Sequence, residues 1–97
     1  MLLIFISEKI TMPISKISDI TLSKIEENVK IHGEIESLTQ SKDTSFLTTK
    51  DDTGKINVVV FEPGNINLQK GDLVEIEGKV ALYNNKLEVI AKTIKVV

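Results

Sequence analysis

From Val29 to the end of the chain, apolar and polar residues alternate in run after run, and the runs are separated by residues that favour turns. Successive side chains of a strand point to opposite faces, so this period of two commits the segment to half-buried β-strands. "VKIHGEIESL" sends Val29, Ile31 and Ile35 inward and Lys30, His32, Glu34 and Glu36 outward. "SFLTTKD" puts Leu47 and Thr49 on one face and Phe46, Thr48 and Lys50 on the other. "DDTG" turns tightly into a third strand that runs through Asn57–Phe61. "LVEIEGKVALY" is a fourth strand with Val74, Ile76, Val80 and Leu82 expected inward. "NN" (Asn84, Asn85) suits a hairpin, because Asn tolerates positive φ, and "KLEVIAKTIKVV" makes a fifth strand. Gly33 and Gly78 fall midway along the first and fourth strands, as expected where strands must bend sharply. Five strands of this kind, with one long break at "EPGNINLQKGD" where a helical turn fits, amount to a small all-β barrel.

The third strand departs from the pattern. Ile56, Val58 and Val60 form the expected core face, yet the opposite face carries Asn57, Val59 and Phe61, where solvent would favour Lys, Thr or Glu. That second face needs something to touch.

Ninety-seven residues suffice for one modest core. The absence of cysteine excludes disulfides and thiolate metal sites, and one histidine, His32, does not build a histidine zinc site. All twelve basic residues are lysine, the net charge is −2, and the pI is near 5.4. This is not the footprint of a strongly basic polyelectrolyte binder. The opening "MLLIFI" is too short for a signal core or a membrane span, so a cytoplasmic location with no membrane association is expected. Met12 reads equally well as a start, so residues 1–13 are expected to be a dispensable extension and residues 14–97 the domain. Ile14, Ile17 and Ile25 have loose helical spacing, which predicts a short helical or irregular lead.

The string "VKIHGEI…SFLTTKDDTGKINVVVFEP…LQKGDLVEIEGKVALYNNKLEVIAKTI" resembles the OB-fold nucleic-acid-binding family of the tRNA-anticodon and helicase type. The likeness runs from about Ile17 to Val97 and rests on the ordered glycines and the D-x-T-G turn. It implies a five-stranded Greek-key barrel whose first strand pairs with both the second and the fourth. It also implies single-stranded DNA or RNA, tRNA included, as the ligand class, bound across the second and third strands. In synthetase anticodon domains an aromatic residue five before the turn aspartate stacks on a base, and the matching residue is Phe46. A glutamine that reads base edges there corresponds to Asn57. Where those domains carry several arginines, this chain reads "EIESLTQSK", with Lys42 as its one cation.

Bases need flat apolar platforms, amides for their edges and cations for their phosphates. The candidate nucleic-acid site is therefore Phe46, Thr48, Lys50, Asn57 and Val59, flanked by Lys42, Lys55, Tyr83 and Lys86. Tyr83 has two readings, a stacking aromatic at the mouth of the site or a cap on the barrel end. Phe61 is expected to be covered by the N-terminal segment or by the loop at residues 62–71. His32 belongs on an exposed face, and Asp51 and Asp52 read as turn chemistry, since neighbours on a strand point apart. No nucleophile set, phosphate loop or metal cluster is present in the sequence, so neither catalysis nor a cofactor is expected. The rival class is a protein–protein adaptor or oligomerisation domain using the same strip, which the acidic pI favours. Partner subunits fit either reading.

Overall fold

The structure, a computed structural model, describes residues 12–61 and 67–97. The expected extension therefore lies, up to residue 11, outside the described residues, as does the first half of the break after the third strand. Five strands form: β1 (Asn28–Gln40), β2 (Thr44–Asp51), β3 (Gly54–Phe61), β4 (Leu73–Tyr83) and β5 (Lys86–Val96). They close into a barrel in the order β1-β2-β3-β5-β4. β1 pairs antiparallel with β4 over Asn28–Glu34 and with β2 from Glu34 onward, the double pairing expected of a Greek-key barrel. The closing contact is the short parallel pairing of β3 with β5, Asn57–Val59 against Glu88–Ile90.

Glycine at position 33 is dictated by crowding where β1 passes from one partner to the other. A Cβ there would stand 2.5 Å from the Thr49 Cγ2 and 2.7 Å from the Lys50 carbonyl oxygen. Just beyond, the register shifts between Ile35 and Ser37, leaving Glu36 as a bulge. The bulge reverses which residues point inward. Before it the inward set is Val29, Ile31 and Ile35, and after it Leu38 packs against the core. The spacing of three between Ile35 and Leu38 is the sequence trace of that bulge. Its consequence is that Ser37 and Thr39 face outward.

The core consists of Ile31, Ile35, Leu47, Val58, Val74, Ile76, Val80 and Val89, all essentially inaccessible, with Ile56 and Val60 beside them. Thr49 and Ser45 share this interior. The lead forms two 3-10 turns, Ile17–Asp19 and Leu22–Lys24, which bury Ile17 and, just after the first, Ile20. It is tied down at two points. Ile14 bridges Lys30 alongside β1, with the Ser15 amide donating to the Lys30 carbonyl at 2.8 Å. Ile17 N–H donates to Asp51 Oδ2 at 2.9 Å.

Two expectations about side-chain direction need correcting. Leu82, expected inward, is 45% exposed. It pairs with Leu87 in the last rungs of the β4–β5 hairpin, beyond the closed part of the barrel. The hairpin itself turns on Asn84 (φ 52°) and Asn85 (φ 63°), as the sequence implied. Phe61, expected to be covered, is 59% exposed, and most of the segments expected to cover it, residues 1–11 and 62–66, lie outside the described residues. It is the last residue of β3, on the outward parity of Asn57 and Val59, opposite Thr44.

Candidate nucleic-acid interface

The unusual outer face of β3 lines a groove of about 310 Å³. Its walls are Ser37 and Thr39 of β1, Phe46 and Thr48 of β2, Asn57 and Val59 of β3, Tyr83 of β4 and Glu88 of β5, with Leu47 and Val58 reaching its edge. Each strand contributes because its outward parity meets here. Phe46 pairs with Val59, and Thr48 with Asn57. Asn57 in turn pairs with Glu88 across the parallel β3–β5 contact. The Thr48 hydroxyl donates to Asn57 Oδ1 at 3.4 Å. That long bond orients the amide so that its NH₂ group remains available.

Phe46 is 47% exposed and Tyr83 is 65% exposed, so both rings present an open face. Val59, in contrast, is only 7% exposed. It is flanked by Phe46 on β2 and Ile90 on β5, so a short side chain lies low between two larger ones. It forms a floor and not a platform, and it stands outside the main core cluster.

The cations are distributed less simply than the sequence implied. Lys55 faces Lys50 directly across β2–β3 and forms an ion pair with Glu36 at 3.1 Å. Lys50 lines a different and larger cavity of about 660 Å³, together with His32, Asp51, Asp52, Leu73 and Val97. Lys42, in the turn between β1 and β2, and Lys86, opposite Tyr83, are exposed and have no ion pair among the described residues. Of the expected site, the structure brings together Phe46, Thr48, Asn57, Val59 and Tyr83. It sets Lys42 in the β1–β2 turn and Lys86 at the start of β5, engages Lys55 with a carboxylate, and puts Lys50 on the wall of the other cavity.

Glu88 is the groove residue that sequence reasoning missed. It has no cationic partner among the described residues, and burial pushes its carboxyl above the ordinary value. In sequence, "KLEVIAK" is an unremarkable exposed strand face. Val89 pointing inward fixes Glu88 as outward, but only the non-local β3–β5 pairing sets it beside Asn57. A carboxylate there repels phosphate and accepts hydrogen bonds, which suits amino groups on base edges.

The turn aspartate is fully occupied structurally. Asp51 Oδ1 accepts from the Thr53 amide (2.7 Å), the Thr53 hydroxyl (2.5 Å) and the Gly54 amide (3.1 Å), and Oδ2 accepts from Ile17. Partial burial would raise its pKa, but these bonds outweigh burial and hold the carboxyl below its ordinary value. His32 Nε2 lies 2.9 Å from Glu75 Oε1 on the β1–β4 face, and Lys95 also pairs with Glu75. The hydrogen bond with His32 is the main cause that lowers the Glu75 pKa, and the positive charge of Lys95 adds to it. No cluster of potential metal ligands occurs among the described residues, and none of their helices is long and apolar enough to cross a membrane.

A closed five-stranded barrel in this strand order, with an outward groove over β2 and β3, defines a small oligonucleotide/oligosaccharide-binding type of domain. Residues 29–97 match the tRNA anti-codon family, described as an OB-fold nucleic acid binding domain, and the chain belongs to that family. Among solved structures it is similar to a domain of replication protein A from Methanococcus maripaludis. The two share 24% identity with a TM-score of 0.76, covering 88% of this chain and 96% of that one. It is also similar to aspartyl tRNA synthetase from Entamoeba histolytica, at 15% identity and a TM-score of 0.80, covering 94% of this chain and 22% of that one. A third likeness is to the S. pombe Stn1-Ten1 complex, at 22% identity and a TM-score of 0.65, covering 72% of this chain and 57% of the other. The chain thus spans a little over half the length of that last matched chain and under a quarter of the synthetase. No curated protein matches in sequence.

Proposed function

We propose that this domain binds single-stranded DNA or RNA, without catalysis, in the groove over β2 and β3, working within a larger assembly. The observation that carries the reading is the convergence in one groove of an open ring, an oriented amide and an acceptor without a cationic partner among the described residues: Phe46, Asn57 and Glu88. A flat ring stacks on any base, while the amide and carboxylate suit base edges. Such edges are accessible only when the base is unpaired, which favours single strands over duplex. Glu88 keeps phosphates away from the groove floor, so the backbone runs along the rim near Lys42 and Lys86.

With few free cations at that rim and a net charge of −2, electrostatics contribute little, and unaided affinity is modest. Partner subunits that add contacts or avidity fit that weakness. The same acidity favours the alternative, a protein partner docked on the strip. Fluorescence anisotropy of labelled oligo-dT, oligo-dC and oligo-U at low salt separates the two. The reading expects saturable binding that Phe46→Ala weakens by about 1–3 kcal/mol while the thermal melt stays unchanged. Absence of binding at roughly 20–50 mM salt, where phosphate contacts are strongest, sinks it in favour of the protein partner.

A further inference from the structure

Three aliphatic side chains at one end of the β4–β5 pair serve neither the groove nor the core. Leu73, Val96 and Val97 are 55%, 52% and 60% exposed. Leu73 opens β4, and the Val97 amide, just past β5, donates to the Leu73 carbonyl at 2.9 Å. Val96 pairs with Val74 in the adjoining rung and points to the opposite face, so this end is an aliphatic lip on both sides. Single exposed aliphatic residues are ordinary, but a contiguous group marks a contact surface.

The lip borders the larger cavity of about 660 Å³, which Leu73 and Val97 line together with Lys16, Glu34, Lys50 and Asp52. Leu73 pairs with Glu34 across β1–β4, and Glu34 pairs with Lys50 across β1–β2. An aliphatic, an anionic and a cationic side chain therefore follow one another in a single row. Neither Glu34 nor Lys50 has an ion pair among the described residues, and Lys55, beyond Lys50 in the same row, is held by Glu36. Lys16 and Lys50 stand against Glu34 and Asp52, with Asp51 already held by four hydrogen bonds. Both signs side by side suit neither a polyanion nor a polycation. They suit a partner that presents the same charges in reverse order.

We infer that this surface binds a second copy of the chain, about a two-fold axis passing between Glu34 and Lys50. A lip beside a hollow is self-complementary under such an axis, as an isologous contact requires. The lip of each copy enters the hollow of the other, with Leu73 over the aliphatic stem of the opposing Lys50. Glu34 of each copy meets Lys50 of the other. The surface is small, so the dimer is weak and depends on concentration. Tyr83 ends β4 ten residues from Leu73, roughly 33 Å along the strand, so the mouth of the groove stays open. The inference is independent of the single-strand reading; where both hold, a dimer carries two grooves, and a strand reaching both gains affinity.

Sedimentation equilibrium without nucleic acid, from about 5 μM to about 1 mM at low salt, tests it over the range of weak association. The parent should pass from monomer to dimer. Leu73→Asp, Glu34→Lys and Lys50→Glu should each weaken the dimer at least about tenfold, with unchanged circular dichroism, as losses at the centre of a contact do. An equimolar mixture of Glu34→Lys and Lys50→Glu chains should recover the parental affinity, because only the mixed pair sets opposite charges at both crossings. That recovery cannot come from within one chain, where the like charges persist. Phe46→Ala should leave the dimer intact. A parent that is monomeric throughout overturns the inference, as does a mixture no tighter than its components. Loss of the dimer in Phe46→Ala, with Leu73→Asp behaving like the parent, moves the contact to the groove face and also overturns it.

Discussion

The hydroxyl of Thr49 lies inside the barrel, fully buried, and has no hydrogen-bond partner among the described residues. A buried polar group without a partner costs stability, and deleting it removes that cost. Thr49→Val is therefore expected to raise stability by about 1 kcal/mol, measured as a shift in the urea midpoint at constant m-value. A loss of stability would show that the hydroxyl has a partner. Asp51 has the opposite character, accepting four bonds that fix both the β2–β3 turn and the lead. Because its folded pKa lies below its ordinary value, the unfolded chain binds that proton more tightly. Its contribution is present above the ordinary value of 3.8 and is lost as pH falls through the folded value. Asp51→Asn should lower stability near pH 7 by on the order of 1–2 kcal/mol and flatten the acid-side decline. Urea melts from about pH 6 to about pH 3 check this, and parallel declines in parent and variant would contradict it. The sequence made the Asp51 turn legible, because Asp before Thr-Gly is strong local chemistry. It did not reveal that the lead hangs on the same carboxylate, a contact spanning 34 positions.

At the scale of the element, β1 decides the shape of the site. Its glycine lets it cross against β2, and its bulge turns Ser37 and Thr39 toward the groove. A Cβ at position 33 meets backbone as well as the Thr49 methyl, so the neighbours cannot simply rotate away. Gly33→Ala is expected to cost about 1–3 kcal/mol, as overpacking does. A thermal melt within a degree of the parent would mean that β1 shifts freely and does not set the groove. The five strands were legible from alternation and turn residues, since both are local. The outward flip after Glu36 was legible only as the odd spacing of Ile35 and Leu38. The exposure of Leu82 and Phe61 was not legible, because both depend on where strands run past the closed barrel.

For the molecule as a whole, the groove is assembled from all five strands, and its chemistry depends on closure. Phe46, Thr48 and Asn57 come from neighbouring strands and could be read together. Glu88 joins them only through the parallel β3–β5 contact, and Lys50 leaves them because its end of β2 borders the other cavity. With Lys42 and Lys86 as the rim cations without an ion pair among the described residues and Lys55 already paired, the proposed single-strand binding would neutralise about two phosphates. At ~0.7 per contact on a single strand, log affinity should fall against log salt with a slope of about −1.4. A slope steeper than about −4 would mean that a far larger basic surface is in use.

The most direct test of the groove assignment is a 15N–1H NMR titration with a short single-stranded oligonucleotide at low salt. Shifts should concentrate on residues 37–39, 46–48, 57–61 and 83–88, the walls and ends of the groove. Shifts centred on His32, Lys50, Asp52, Leu73 and Val97 would place binding in the larger cavity and contradict the account.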